Sequence, residues 1–393
     1  MINCMELTVN QAIDYCIMMI EGMQKQGLQR LSVYLQGEPG VGKSSIPKAV
    51  ADRMNYWLED LRPNNMNPDD AAGTRMQDLE TGTTRWFPPE WMPPVDGSVE
   101  VDGRKYDGTV LLFDELASAD DRVRKPLFGA FLDYKLNRRP LPANCIVFAA
   151  GNESETGTEV MELDNATRSR FITIRIIPDL TSWLEDYAVD AKVTPTVVAT
   201  LKNNINRFCT TAEAYEKGMQ LYPNPRSWDH ASIAERAIMQ TDADRRDPKK
   251  KQALAAMIAG KIGKADAELY MGVFDQVAEM SNLYDLLKAD KKDRHKLWPK
   301  THGQLHALTH SMVGYISNAT QLKEIVGLLD DWPRQSKSLP FDEMEGPLIE
   351  LITRRAKKLD IPEKERRTIM DKATKTSTAD VFAAGPIITL NGL

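Results

Sequence analysis

Gly37-Glu38-Pro39-Gly40-Val41-Gly42-Lys43-Ser44 decides the reading of this chain. It fits the phosphate-loop pattern G-x-x-x-x-G-K-[ST], and its surroundings fit as well. The apolar run 32–36 before it has the composition of a buried strand, and residues 46–54 after it that of a helix. Glycines let the backbone curl round a phosphate, while successive N–H groups and the helix N-terminus hold its charge. Lys43 reaches the outer phosphates, and the Ser44 hydroxyl ligates Mg2+. The candidate nucleotide-binding set is therefore Gly37, Glu38, Pro39, Gly40, Val41, Gly42, Lys43, Ser44 and Ser45, with ATP and Mg2+ as the expected cofactors. Pro47 is an oddity: it removes an N–H near the first helical turn, a loss tolerated only if the helix begins late enough.

Working outward, Val110-Leu-Leu-Phe-Asp114-Glu115 is an apolar strand ending in two carboxylates. Many strands exit into acidic turns, but after a phosphate loop this pair has a function to fill. Asp114 is expected in the Mg2+ shell, and Glu115 is expected to polarise a water for attack on the γ-phosphate. Asn152 ends the run 146–151; on a neighbouring parallel strand its amide would face the same crevice and orient the attacking water, a turn Asn after Gly151 being the plainer alternative. In Asn165-Ala-Thr-Arg168-Ser-Arg170-Phe171, one arginine could be a fork for phosphate on an adjacent subunit, or the pair a solvated helix end.

Further strand-like runs at 110–113, 146–150 and 171–176, separated by helix-compatible stretches, predict an α/β fold with a covered parallel sheet. Thr8-x-x-Gln11 has capping-box form, and Val9, Ala12, Ile13, Cys16 and Ile17 follow at helical spacing. Residues 69–94, with Thr81-Gly82 as a turn, read as a hairpin set into a helix-sized interval. Beyond Pro178 strand-like runs disappear. Ser182-x-x-Glu185 looks like a second capping box, and Leu322, Ile325, Val326, Leu329 and then Leu348, Leu351, Ile352, Ala356, Leu359 are apolar stripes of amphipathic helices. The chain is expected to be all-helical from Ser182 to about Ile369, with a loosely held tail from Thr374.

Composition narrows the function. The 393 residues have 42% hydrophobic and 27% charged side chains, ordinary globular values that exclude disordered, collagen-like and coiled-coil classes. No apolar stretch approaches the ~18 residues of a membrane span. MINCMELTVN lacks the basic region of a secretion signal, and four scattered cysteines form no CxxC pair, so a reducing, cytoplasmic setting is expected. A formal net charge of −6 argues against binding nucleic acid or anionic membrane by bulk electrostatics. His302, His306 and His310, at i, i+4 and i+8, could ligate a metal, but no Glu or Cys completes the set, and a polar helix face is the better reading. Basic clusters at 288–300 and 354–367 hold interspersed Asp and Glu and read as solvated, salt-laced surface. Trp86, Trp91 and Trp183 read as packing anchors.

Together the motifs resemble the MoxR family of AAA+ ATPases, of the helix-2-insert clade, over about residues 30–370. The resemblance rests on the phosphate loop, Leu111-Leu-Phe-Asp-Glu-Leu-Ala-Ser-Ala119, Ala149-Ala-Gly-Asn-Glu-Ser-Glu155, Arg170-Phe171 and Pro225-Arg226-Ser227. Asn67-Pro-Asp-Asp-Ala-Ala-Gly73 and Thr84-Arg-Trp-Phe-Pro-Pro-Glu-Trp91 support it. It implies a P-loop NTPase αβα core with a parallel sheet, an all-helical lid, a C-terminal helical extension, and a homo-oligomeric, usually hexameric ring with ATP at subunit interfaces. By that resemblance Asn152 is sensor 1, Arg226 the sensor 2 arginine acting in cis, and Arg170 the trans-acting finger, with Arg168 second. The loops 75–85 and 135–141 face the pore or a client, and a protein with a von Willebrand factor A domain is the implied partner. The resulting division is an N-terminal helix at 1–28, the ATPase core at 29–178, the lid at 179–290, and an extension and tail at 291–393, longer than a minimal lid requires. Nucleic acid and membrane are not expected partners; a nucleic-acid motor and a non-catalytic nucleotide-dependent assembly switch are the rival readings.

Overall fold

The structure, a computed structural model, describes residues 5–77, 79–152, 170–280, 282–336 and 338–367. The chain divides into two compact units, Met1–Ser182 with Asn206–Trp228, and Trp183–Ile205 with Asp229–Leu393.

The first unit is built on β1 (Glu6–Leu7), α1 (Val9–Gln26), β2 (Val33–Gly37), α2 (Ser45–Met54), β3 (Tyr56–Leu61) and α3 (Pro68–Ala72). The hairpins β4–β5 (Thr74–Gln77, Thr84–Phe87) and β6–β7 (Val99–Val101, Arg104–Tyr106) follow. Next come β8 (Gly108–Asp114), α4 (Asp121–Asp133), the short hairpin β9–β10 (Lys135–Leu136, Arg139–Pro140), β11 (Cys145–Asn152) and β12 (Ile172–Ile176). Six strands form one parallel sheet in the order β1-β12-β2-β11-β8-β3.

Side chains alternate between the two faces of a strand, so a central strand covered on both sides is apolar throughout. β8 and β11 are buried up to their last residue for this reason. Val33, Leu35, Val110, Leu112, Ile146 and Phe148 pack with Ile13, Ile20, Ile46 and Val50 of α1 and α2. The intervening Tyr34, Leu111, Phe113, Val147 and Ala149 pack with Val123, Leu127 and Phe131 of α4 on the other face. The result is the αβα layering expected from the sequence.

The predicted capping box forms: the Gln11 N–H donates to Thr8 Oγ1 at 3.4 Å and the Thr8 N–H to Gln11 Oε1 at 3.0 Å. Pro47 falls in the first turn of α2, where no intrahelical donor is lost. β4–β5 is the hairpin expected within 69–94. Trp91 is buried edge-on against Phe113, centroids 5.8 Å apart, and its indole N–H donates to the Asp70 carbonyl. β3 carries Glu59 and Asp60 and so has no apolar run in the sequence, because an edge strand is only partly buried.

The second unit contains the helices Pro195–Asn203, Pro248–Ile262, Lys264–Ala278, Leu283–Lys288, His302–Tyr315, Ala319–Leu329 and Phe341–Lys358, and no strand among the described residues. Both predicted apolar stripes face one core that runs from Leu283 to Ile361, across position 290, with Trp298, Trp332 and Phe341 packed edge to face. Ser182 caps no helix; its own N–H is capped by Asp179 Oδ1 at 2.8 Å, and Trp183–Tyr187 forms a π-helical turn. The tail from Thr374 lies outside the described residues. No helix among the described residues is long and apolar enough to cross a membrane.

The histidine stripe is a polar helix face only in part: His302 is exposed. His306 and His310 are partly buried, His310 Nε2 lies 3.0 Å from the Val193 carbonyl, and among the described residues no cluster of His, Cys, Asp or Glu is placed to hold a metal. Burial, reinforced by the Lys202 charge, pushes both imidazoles down to about 4 from 6.5. They fold neutral and would protonate once unfolded, so their contribution is complete above the unfolded value and is lost as pH falls through about 4. Urea denaturation should give a lower midpoint at pH 4.5 than at pH 7, with a smaller difference in His306→Gln/His310→Gln. An identical pH dependence in that variant would mean that other groups take up the protons.

Candidate active site

All strands of the sheet point the same way, so their C-terminal ends share one edge. β11 runs between β2 and β8; Asn152 pairs in register with Gly37, and Ala150 with Asp114. Three residues far apart in sequence therefore meet at one crevice, where parallel sheets bind ligands.

The turn from β2 into α2 is shaped by Gly40 and Gly42, at φ +82° and +102°, conformations other residues adopt only with strain. Val41 is buried in the core, and Ser45 Oγ donates to the Gly42 carbonyl at 2.6 Å. Lys43 is buried, and its ammonium donates to the carbonyls of Gly37 and Glu38 and to Asn152 Oδ1, each at 2.9 Å. Ser44 Oγ donates to Asp114 Oδ2 at 2.8 Å. These contacts join the phosphate loop, the acidic strand end and the candidate sensor in one network.

Glu115 follows Asp114 in the left-handed region, φ +57° and ψ +33°, rare for a residue with a β-carbon and a mark of functional turns. Its carboxylate is exposed and accepts from Asn64 Nδ2 at 3.0 Å, a partner without a sequence signal of its own. Burial, with Asp114 adding to it against the opposing charge of Arg62, raises the pKa of Asp60 at the end of β3.

The arginines differ in placement. Arg168 lies outside the described residues. Arg170 is exposed, with Nη1 3.8 Å from Asp133 Oδ1, while the adjoining Phe171 is buried against Phe131 and Tyr34, centroids 5.0 and 5.5 Å apart. Arg226, also exposed, begins the helix Pro225–Ile238 and donates its backbone N–H to the Gly40 carbonyl at 3.3 Å. Cys209 Sγ lies 3.1 Å from Glu38 Oε2, and burial pushes its thiol up to about 12, so it remains protonated as the donor. Asn64, Asp133, Cys209 and Asn224 belong to none of the sequence motifs that mark the site. Only Asn224 had a legible signal, an Asn followed by Pro as helix cap and first helical residue.

The donor set fits magnesium. A hydroxyl and a carboxylate in contact are the one or two protein oxygens that Mg2+ takes at a phosphate loop, the remaining ligands being phosphate and water. Lys43 and the loop amides supply positive charge for a triphosphate, Asn152 an amide beside it, and Glu115 an acceptor for a water proton.

The family comparison agrees with the geometry of the phosphate loop. Residues 32–171 match the family model described as the AAA domain of the dynein-related subfamily. No curated protein sequence matches the chain. Among solved structures, the RuvB Holliday junction branch migration motor of Thermotoga maritima is 15% identical, over 86% of this chain and 87% of that one, with a TM-score of 0.35. A candidate ATPase from Cytophaga hutchinsonii is 14% identical, over 66% of this chain and 82% of that one, with a TM-score of 0.31.

Proposed function

From an AAA+ P-loop NTPase fold whose phosphate loop and strand-end carboxylates meet at one sheet edge, we propose that this chain is a MoxR-like ATPase that hydrolyses ATP with Mg2+ in a hexameric ring. The observation that carries the reading is the shared network of Lys43, Asn152, Ser44 and Asp114. Lys43 exchanges its carbonyl partners for phosphate oxygens, and Ser44 and Asp114 hold the metal. A magnesium ion held by these two residues would supply positive charge against that developing on the phosphates. Asn152 orients the water, Glu115 takes its proton once released from Asn64, and Arg226 in cis and Arg170 in trans stabilise the departing phosphoryl charge.

The nucleotide cycle drives remodelling of a protein client, with a von Willebrand factor A domain protein as the partner. The helical second unit acts as lid and extension, its core continuous across position 290, in a cytoplasmic setting that suits the free Cys16, Cys145 and Cys209. The β4–β5 hairpin supports a client-facing role, because Met76 on its first strand and Leu79 in its turn are exposed apolar side chains. Against a nucleic-acid motor, about half of the cations in the C-terminal basic clusters are held in ion pairs. Arg294 and Lys291 meet Asp331, Arg354 meets Glu185 and Glu350, and Arg355 and Lys358 meet Asp190.

Phosphate release from Mg-ATP by the purified chain, absent in Lys43→Ala, tests the activity. Assembly follows from an interfacial γ-phosphate, which gives the neighbour's arginine a charge to grip and so links nucleotide binding to oligomerisation. Mass photometry should show larger assemblies with a slowly hydrolysed ATP analogue than with ADP. A monomer at micromolar concentration under both conditions would overturn the ring.

A further inference from the structure

We propose that Asn224 is a positioning residue for Arg226, fixing the start of its helix against the apex of the phosphate loop. The proposal rests on the cis role given above to Arg226.

The first N–H groups of a helix have no intrahelical partner, so whatever satisfies them sets the direction of the helix. Here Asn224 is the cap: its Oδ1 accepts the Ser227 N–H at 2.9 Å, its own N–H donates to Ser227 Oγ at 2.7 Å, and Pro225 occupies the first helical position. The free N–H of Arg226 goes outside the helix, to the Gly40 carbonyl. Asn224 also fills the space beside Gly40 so closely that a β-carbon there would come within 2.7 Å of its amide oxygen. The loop apex and the helix start are thus complementary in shape as well as hydrogen-bonded. A second clip lies one residue from the loop's start, where the Cys209 thiol donates to the Glu38 carboxylate.

The consequence for catalysis is geometric. The Arg226 side chain is long and exposed, so where its guanidinium can reach depends on where its backbone is held. The same Gly40 peptide belongs to the candidate phosphate loop, so the arginine's backbone is anchored on the loop itself. Misplacing a catalytic group by 1 Å can cost about 100-fold. Loss of the cap frees the helix start without removing the arginine, so a partial loss of turnover is expected.

The test compares steady-state ATP hydrolysis in four variants of the full chain. Arg226→Ala should lower kcat about 100-fold, the order of one lost electrostatic donor. Asn224→Ala should lower kcat roughly ten-fold with KM for ATP within about two-fold, the signature of a defect felt in the transition state. Asn224→Asp, an equally good cap, should restore kcat to within a few-fold, and it keeps the test decisive if the alanine variant folds poorly. Arg226→Ala/Asn224→Ala should be no slower than Arg226→Ala alone, since a positioning residue has nothing left to position. Wild-type turnover in Asn224→Ala, failure of Asn224→Asp to recover, or losses that multiply in the double variant would each overturn the proposal. Wild-type turnover in Arg226→Ala would overturn it together with the cis role of Arg226, whereas slow Arg226→Ala beside normal Asn224→Ala would overturn this proposal alone.

Discussion

Glu115→Gln is expected to bind Mg-ATP with an affinity close to that of the unaltered chain and to lose turnover by about 10²–10⁴-fold, the contribution of a positioned general base. The substitution keeps size and one carbonyl oxygen, so the hydrogen bond from Asn64 survives and the unusual backbone at φ +57° is undisturbed. Ser44 and Asp114 remain in contact, and Lys43 keeps its place beside Asn152. Only the ability to accept a proton is removed. Binding measured with a fluorescent ATP analogue, beside single-turnover phosphate release, separates the two properties. Release at the normal rate would move the general base elsewhere. Because the variant holds ATP without consuming it, proteins that co-purify with it in an ATP-dependent way identify the client.

Arg170→Ala is expected to reduce hydrolysis by about 10³–10⁵-fold, the contribution of an arginine finger. Its placement suits a group that acts on a neighbour. Phe171 is anchored between Phe131 and Tyr34, so the chain is firmly held at that point. The Arg170 side chain is 59% exposed and its contact with Asp133 is 3.8 Å long, a surface ion pair of the kind that contributes only about 0–1 kcal/mol and so yields easily to a phosphate. Mixing separates trans from cis. Arg170→Ala subunits retain an intact phosphate loop, and Lys43→Ala neighbours can lend the missing arginine, so mixed rings should regain hydrolysis. Arg226→Ala mixed with Lys43→Ala should regain none, because neither subunit then owns a complete cis set. A dead Arg170→Ala mixture in rings shown to be mixed, or rescue by Arg168→Ala in its place, would assign the finger elsewhere.

The sequence carried a good deal of this. Glycines at 37, 40 and 42 with Lys43 and Ser44 after an apolar run identify a phosphate loop because the backbone itself makes most of the site, and backbone shape is encoded locally. The Thr8 capping box, the β4–β5 hairpin and the stripes at 322–329 and 348–359 were legible for the same reason, since capping and amphipathic spacing involve neighbours in sequence. Where interior and surface had to be told apart without such spacing, the reading failed. β3 carries no apolar run because its polar residues suit a sheet edge, and the polar stripe at His302, His306 and His310 does not show in its spacing that the latter two are partly buried.

Tertiary structure alone decided which distant residues meet. Nothing in an apolar run states that β11 lies between β2 and β8, yet that order brings Asn152 to within 2.9 Å of Lys43 across 109 positions. Nothing in Asn64 announces Glu115, and Asn224 reads as a helix cap without revealing that the helix it starts rests on Gly40. The reason is physical: local patterns record what each segment needs from its own backbone and from an apolar environment, whereas strand order and helix docking are chosen by the packing of the whole unit. The chemistry of the phosphate loop was therefore written in one stretch of eight residues, and the partners that aim it were set only when the sheet closed around them.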